Sequence, residues 1–318
     1  MAPVERLGCV SVDLDSLHHY CRIHGLPESA LPERAAALVY STALPRFLDL
    51  CAGLSVPLTL FAVGEDLAHG PSARALRDAH RAGAEIGNHS CHHDYALTRR
   101  TREQIHLEVA EGESAIADSV GTRPAGFRAP GYTLNAALYQ VLQDRGYRYD
   151  SSVFPAAPYW AAKAAVMGGM RLLGRRSRAV LDTPRVLLAP RGPYRPDPSR
   201  PYARGGGAVL ELPVTTASLT RFPFIGTYAL TLPAPAVRAL YRTTRAQPFF
   251  NFELHGIDLL DEEDGVPPAL ARVQRDARVP AARKRARLRE VLRWLKDDYR
   301  LTTLSEAAET VGRTLDAG

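Results

Sequence analysis

The stretch Gly87-Asn88-His89-Ser90-Cys91-His92-His93 carries the densest concentration of metal-ligating side chains in the chain. Its apolar lead-in, Ala84-Glu85-Ile86-Gly87, has the length of a buried strand. A helical continuation is expected beyond it, which puts His89 and His93 at i and i+4 on one face. Neutral imidazoles so spaced suit a borderline divalent metal such as zinc, which needs a third protein ligand and an open position if it is to do chemistry. His92 competes with His93, although the i, i+4 pair leaves more room for an ion. Cys91 points away from that face and reads as a buried bystander.

The missing ligand should be an oxygen, and the best source lies far upstream in Gly8-Cys9-Val10-Ser11-Val12-Asp13-Leu14-Asp15-Ser16. Val10, Val12 and Leu14 alternate with polar positions, so a two-residue period sends Asp13 and Asp15 to the same side at the carboxyl end of a first strand. One carboxylate can bind a metal while its neighbour works as a base toward water; the pattern alone leaves open which does which.

Five short motifs in this order resemble the polysaccharide deacetylases, the NodB-homology group also called carbohydrate esterase family four. They are Asp13-Leu14-Asp15, His89 to His93, Arg128-Ala129-Pro130-Gly131-Tyr132, Asp150-Ser151-Ser152-Val153-Phe154 and Leu254-His255, and Phe61 to Glu65 is similar to the family's second barrel strand. The likeness runs from about residue 8 to residue 305, broken by an insertion at 156–206. It implies an α/β fold, a distorted and incomplete (β/α) barrel of about seven strands in a single catalytic domain over 1–318. It also implies hydrolysis of an N-acyl group, usually acetyl, from an amino sugar. Carried over position by position, Asp15, His89 and His93 hold a divalent metal, zinc first, with Fe2+, Co2+ or Ni2+ as alternatives. Asp13 is the base, fixed and kept ionised by Arg128. His255 protonates the leaving amine, tuned by Asp150, and a backbone N–H near Gly131 or Tyr132 meets the oxyanion. Leu254 borders the acyl methyl. Phe154 replaces the family's usual tryptophan, which keeps a groove wall apolar and removes an indole donor. The first motif is Asp-x-Asp instead of adjacent aspartates, a form also found in lipid-linked aminoarabinose deformylases.

The elements that must position these residues alternate as strand and helix. Strands are expected at 57–63, 124–130, 147–151, 208–214 and 249–255, with helices from Pro32 to about Gly53 and over 71–82, 101–120, 134–145, 235–244 and 283–299. Thr101-Arg102-Glu103-Gln104 has the form of a capping box. Every candidate catalytic residue falls at a strand's carboxyl end, where barrel enzymes carry their chemistry. Leu17 to Leu26 reads as a loop whose Arg22 and His24 contact substrate, 190–207 as an irregular loop, and the acidic run Asp258 to Asp264 as solvated surface. Ala156 to Leu173 reads as a helix leading into Arg171, Arg175, Arg176 and Arg178, either packed on the barrel or touching an anionic membrane surface through 156–178.

With 46% hydrophobic and 23% charged residues the composition is that of an ordinary globular protein. The net charge of +6 is scattered and no nucleic-acid motif accompanies it, so nucleic acid is not an expected partner. The first residues lack the pattern of a signal peptide, and the four cysteines show no close pairing. Both point to a cytoplasmic protein with reduced thiols, with a peripheral position on the inner membrane face as the alternative. Competing readings keep the metal and change the substrate to a lipid-phosphate-linked amino sugar or a small cyclic amide. A sugar-binding relative without activity requires loss of the base or the acid, and both Asp13 and His255 are present.

Overall fold

In the computed structural model, residues 5–172 and 180–316 are described. The main sheet is built from β1 (Leu7–Asp13), β2 (Thr59–Ala62), β3 (Glu85–Asn88), β4 (Gly126–Phe127) and β5 (Tyr149–Asp150). After a small hairpin of β6 (Pro196–Asp197) and β7 (Arg200–Arg204) come β8 (Leu210–Glu211), β9 (Phe249–His255) and β10 (Arg300–Leu301). Seven strands run in parallel in the order β9-β1-β2-β3-β4-β5-β8, and β10 adds a two-residue ladder beside the start of β1. They form a curled half-barrel. The opening between β8 and β9 is spanned by Thr215, which donates to the Asn251 carbonyl (3.2 Å) and accepts from the Asn251 N–H through its hydroxyl (2.8 Å).

Two-residue alternation sorts the strands into two faces. Val10, Val12, Leu60, Ala62, Phe250, Phe252 and Leu254 pack outward against the helices in one large core. Leu7, Cys9, Phe61, Tyr149, Leu210 and Phe249 fill the floor of the barrel. Toward the carboxyl rim the inward positions become polar: Ser11 and Asn251, then Asp13, Glu253 and His255. Because both faces of the sheet are covered, the strands read as nearly continuous apolar runs, and a buried polar position among them marks the site.

The helices fall close to expectation. Arg102–Val120 begins with the Thr101 and Gln104 capping box and ends at Gly121. Three expectations need correcting. Leu17–His24 is a helix and not a loop: Leu17, Tyr20 and Cys21 are buried three and four apart, and Gly25 caps its end at φ 66°. Residues 196–204 form the β6–β7 hairpin, turned by Asp197 accepting from the Ser199 N–H and hydroxyl at 2.9 and 2.7 Å. The acidic run is solvated surface only at Glu262 and Glu263, since Asp258 and Asp261 are buried. Arg46 binds both oxygens of Asp264 (2.5 and 2.6 Å), and the Asp261 carboxylate accepts from Ala281 N–H (2.6 Å) at the start of the Ala281–Asp298 helix. The fully buried Lys284 ammonium donates to the carbonyls of Ile257, Leu260 and Asp276, so the run is folded inward around a cation.

The insertion opens with the helix Ala157–Leu172. Trp160 anchors it by donating to the Asp182 carbonyl (2.9 Å), while Val166 is 62% exposed. Arg175, Arg176 and Arg178 lie outside the described residues. Among the described residues no helix is long and apolar enough to cross a membrane.

Candidate metal centre and active site

β3 ends at Asn88, and the chain turns into the site at His89. The expected helix does not form there. Ser90 and His93 take positive φ (67° and 52°), the His93 N–H closes the turn onto the Ser90 hydroxyl (3.1 Å), and the loop lies against Gly112 of the Arg102–Val120 helix. A Cβ at Gly112 would sit 2.6 Å from the Asn88 side-chain oxygen and 2.8 Å from the Ser90 carbonyl carbon, so only glycine permits this approach. The tight turn brings His89 Nε2 and His93 Nε2 to 3.2 Å from one another, with Asp15 Oδ1 3.3 and 3.2 Å from them. His92 is 52% exposed and turned outward to Glu108 (2.8 Å), which leaves His93 as the partner of His89. Cys91 is buried behind the loop, its thiol pushed up to about 12 by burial.

This donor set fits a divalent cation. His89 Nδ1 lies 2.7 Å from the Arg128 carbonyl, which can only accept, so the ring proton sits on Nδ1 and the Nε2 lone pair faces Asp15. Asp15 Oδ1 is buried and has no hydrogen-bond partner. Burial alone would raise the Asp15 carboxyl, but the His93 and His89 imidazoles draw it well below the ordinary range. One carboxylate oxygen and two imidazole nitrogens form the half-shell that zinc and its first-row neighbours accept, with room left on the cavity side.

Asp13 ends β1 and its carboxylate is buried. Arg128, following β4, is fully buried and donates to Asp13 Oδ1 (2.6 Å), Ser11 Oγ (2.9 Å), Ser151 Oγ (2.9 Å) and the Ser151 carbonyl (3.1 Å). Its guanidinium also stacks 4.2 Å from the centroid of Phe61. All the polar atoms around it are acceptors, so a charge that would be costly to bury is fully paired and pins one Asp13 oxygen. The other, Oδ2, faces His89 Nε2 at 3.8 Å.

His255 reaches the rim from β9, in register with Asp13 across the β1–β9 ladder. Glu253, two residues earlier on the same face, places Oε1 3.0 Å from His255 Nδ1. Asp150, the expected partner of His255, is engaged elsewhere. It accepts from the Ser151 N–H (2.9 Å) and Ser152 hydroxyl (2.6 Å) and stands beside Glu211 across the β5–β8 ladder. Burial raises both the Asp150 and the Glu211 carboxyls, and Asp150 holds the third-motif loop through Ser152 Oγ, which accepts from Ala129 N–H (2.8 Å). The family's motif order points to Asp150, whereas two-residue alternation along β9 gives His255 a partner from its own strand.

Burial by itself would lower the His255 imidazole, yet Glu253 outweighs it and raises the group well above its ordinary value. That direction favours the protonated imidazole, whose Nε2 is turned toward the cavity and lies 3.3 Å from the Tyr132 hydroxyl. The loss of an acid's proton as pH rises sets the alkaline limb of a rate profile. Glu253→Gln removes the stabilising charge, lowers the His255 pKa and moves that limb of kcat/KM to lower pH by about one unit or more. A limb that stays in place assigns the proton to another group.

These groups open into one cavity of about 320 Å³, also lined by Tyr20, Tyr95, Tyr132, Tyr159 and Tyr228. Of the expected contacts, Gly131, Tyr132 and His24 line it and Arg22 does not, being held by Glu65 (2.5 Å) and Glu28 (2.8 Å). Leu254 faces the helical core, since one residue's offset from His255 puts it on the opposite face of β9. Phe154 is also displaced from the wall. It supports Tyr132 and Tyr159 from behind, with ring centroids 5.1 Å from each. The Tyr132 N–H closes a turn onto the Ala129 carbonyl (3.1 Å), which leaves the neighbouring Gly131 N–H, at φ 67°, as the freer donor toward an oxyanion.

Comparison with known proteins agrees with this architecture. The family pattern for polysaccharide deacetylase matches residues 36–149. A peptidoglycan deacetylase of Helicobacter pylori is 25% identical over 151 residues, 47% of this chain and 50% of that protein. This chain belongs to the polysaccharide deacetylase family. A peptidoglycan-N-acetylglucosamine deacetylase of Bacillus cereus is 28% identical over 107 residues, 34% of this chain and 48% of the relative. The matches thus span about half the length of these curated relatives. Among solved structures, a putative polysaccharide deacetylase from Mycobacterium smegmatis superposes with a TM-score of 0.61 at 18% identity, covering 99% of this chain and 93% of that one, a likeness of fold. The polysaccharide deacetylase family is typically one of metal-dependent hydrolases of amide bonds.

Several residues around this deacetylase-type site were missed in the sequence. Glu253 was visible by the same two-residue rule that linked Asp13 to Asp15. Asp258, whose Oδ2 accepts from the His255 N–H (2.9 Å), was hidden in an acidic run. His19 is fully buried with its ring 4.7 Å from that of His93, on a helix whose sequence resembles a loop.

Proposed function

We propose that this protein is a metal-dependent hydrolase that removes an N-acyl group, acetyl in the first instance, from an amino sugar or glycoconjugate. The observation that supports this reading best is the convergence of three groups on one cavity: the Asp15, His89 and His93 donors, the Asp13–Arg128 pair and the Glu253–His255 pair. Asp15, His89 and His93 would hold the ion, with zinc the first choice. A divalent cation there supplies Lewis acidity, polarising the amide carbonyl and making water more acidic.

The protein groups do the rest. Arg128 fixes Asp13 with one oxygen free toward the cavity, poised to accept a proton from the attacking water. His255, kept protonated by Glu253, delivers a proton to the nitrogen as the C–N bond breaks. A base pinned by an arginine and an acid whose imidazole is raised by a neighbouring glutamate stand on adjacent strands, the pair that amide hydrolysis requires. The Gly131 N–H stabilises the developing oxyanion, and the tyrosines offer faces on which a sugar ring can stack. The cavity is at the small end of ligand pockets and takes a sugar residue with its acyl group.

The test is acid release. Purified protein should free acetate from N-acetylated sugars and peptidoglycan fragments, and formate from N-formyl counterparts if the acyl pocket admits them. No acid from any amide across such a panel, with metal bound, would leave a binding protein as the better reading.

A further inference from the structure

The helix Ala157–Leu172 starts three residues after Phe154 and lays two side chains into the cavity, Tyr159 and Lys163, which at i and i+4 share its inner face. Lys163 Nζ lies 3.4 Å from the Gly131 carbonyl and 5.7 Å from the centroid of the Tyr159 ring. Among the described residues no carboxylate stands within ion-pair distance of it. Asp13 and Asp15 across the cavity are engaged by Arg128 and by the two imidazoles. Asp182 is occupied by the Tyr202 hydroxyl and the Thr183 N–H. The neighbouring wall, Ile225, Thr227 and Tyr228, is neutral. An ammonium is therefore held beside the third-motif loop, largely out of water, facing the space a substrate must fill. A neutral sugar would leave that charge unpaired, whereas an anionic substituent would compensate its desolvation.

We propose that Lys163 receives an oxyanion substituent of the substrate, a phosphate ester or carboxylate carried close to the scissile amide, so that the site selects acidic N-acyl amino sugars over neutral ones. This deepens the reading of the cavity as a deacetylase site and rests on it. Burial pulls the Lys163 ammonium down to about 8, and the Asp182 carboxylate, beyond ion-pair distance, offsets that only in part.

The test compares N-acetylglucosamine with its 1-phosphate and 6-phosphate and with N-acetylmuramic acid, in wild type, Lys163→Met and Lys163→Arg. Acid release gives kcat/KM and calorimetry gives binding independently of turnover. The wild type should favour at least one charged sugar by about tenfold or more, a preference that shrinks with salt. Lys163→Met should abolish the preference and Lys163→Arg should keep most of it. Phosphate and carboxylate arms show which oxyanion is meant. A preference that persists in Lys163→Met, or no charged sugar bound better than N-acetylglucosamine, overturns the proposal and leaves Lys163 as a tie between the helix and Gly131. Equal hydrolysis of charged and neutral sugars would do so while the deacetylase reading stands. Salt-sensitive, Lys163-dependent binding without acid release would instead sink the deacetylase reading.

Discussion

His89→Ala and His93→Ala are each expected to lose the bound metal and to lower turnover by roughly three orders of magnitude or more. A catalytic ion supplies several kcal/mol of charge stabilisation, and each ~1.4 kcal/mol is a factor of ten in rate. The loss should be local. Both rings sit in a loop braced by its own turn and by Gly112, so the circular dichroism and melting behaviour of the metal-free variants should resemble those of metal-free wild type. Elemental analysis alongside acid release checks this, and His92→Ala, whose ring is exposed and paired with Glu108, serves as the control that keeps its metal. Unchanged metal content in both His89 and His93 variants would end the assignment.

Asp13→Asn should behave differently. Turnover should fall by about 10²–10⁴, the range typical for losing a general base, while the ion is retained because Asp15, His89 and His93 are untouched. The substitution has a structural cost that can be separated from the catalytic one. Arg128 is fully buried, and removing the charge opposite it leaves a guanidinium undercompensated, a destabilisation of up to about 3–5 kcal/mol. Replacing both partners, Asp13→Asn with Arg128→Met, should recover much of that stability and none of the turnover. Denaturant unfolding measured with acid release distinguishes the two effects. Near-normal turnover in Asp13→Asn, or loss of its metal, would reverse the roles of the two aspartates.

Much of this site is legible in the sequence because strands impose a simple rule. A polar residue at an inward position of an otherwise apolar run has no reason to be there except chemistry or a buried partner, and Asp13, Arg128, Asp150 and His255 stand out on that basis. The same rule reaches further: Glu253 shares the face of His255, and Leu254, one residue away, cannot. The histidine loop is not legible in the sequence because helical spacing and a left-handed turn can bring the same two rings together, and the positive φ at Ser90 and His93 has no sequence signature as clear as glycine. Leu17–His24 resembles a loop in sequence because its polar residues, the buried His19 among them, mask the helical spacing of Leu17, Tyr20 and Cys21. The inward fold of Asp258 to Asp264 depends on Lys284 and Arg46, remote residues that no local pattern connects to it.

The central claim is that amide hydrolysis here depends on an ion held by Asp15, His89 and His93. Its most direct measurement is acetate release from an N-acetylated glycan by the purified protein, stripped with a chelator and then titrated with Zn2+ or Co2+, in parallel with Asp15→Asn. The wild type should fall to background when stripped and recover with a break at one equivalent of metal, while Asp15→Asn neither binds tightly nor recovers. Acetate release that survives chelation, or an Asp15→Asn protein that recovers like the wild type, would contradict the account.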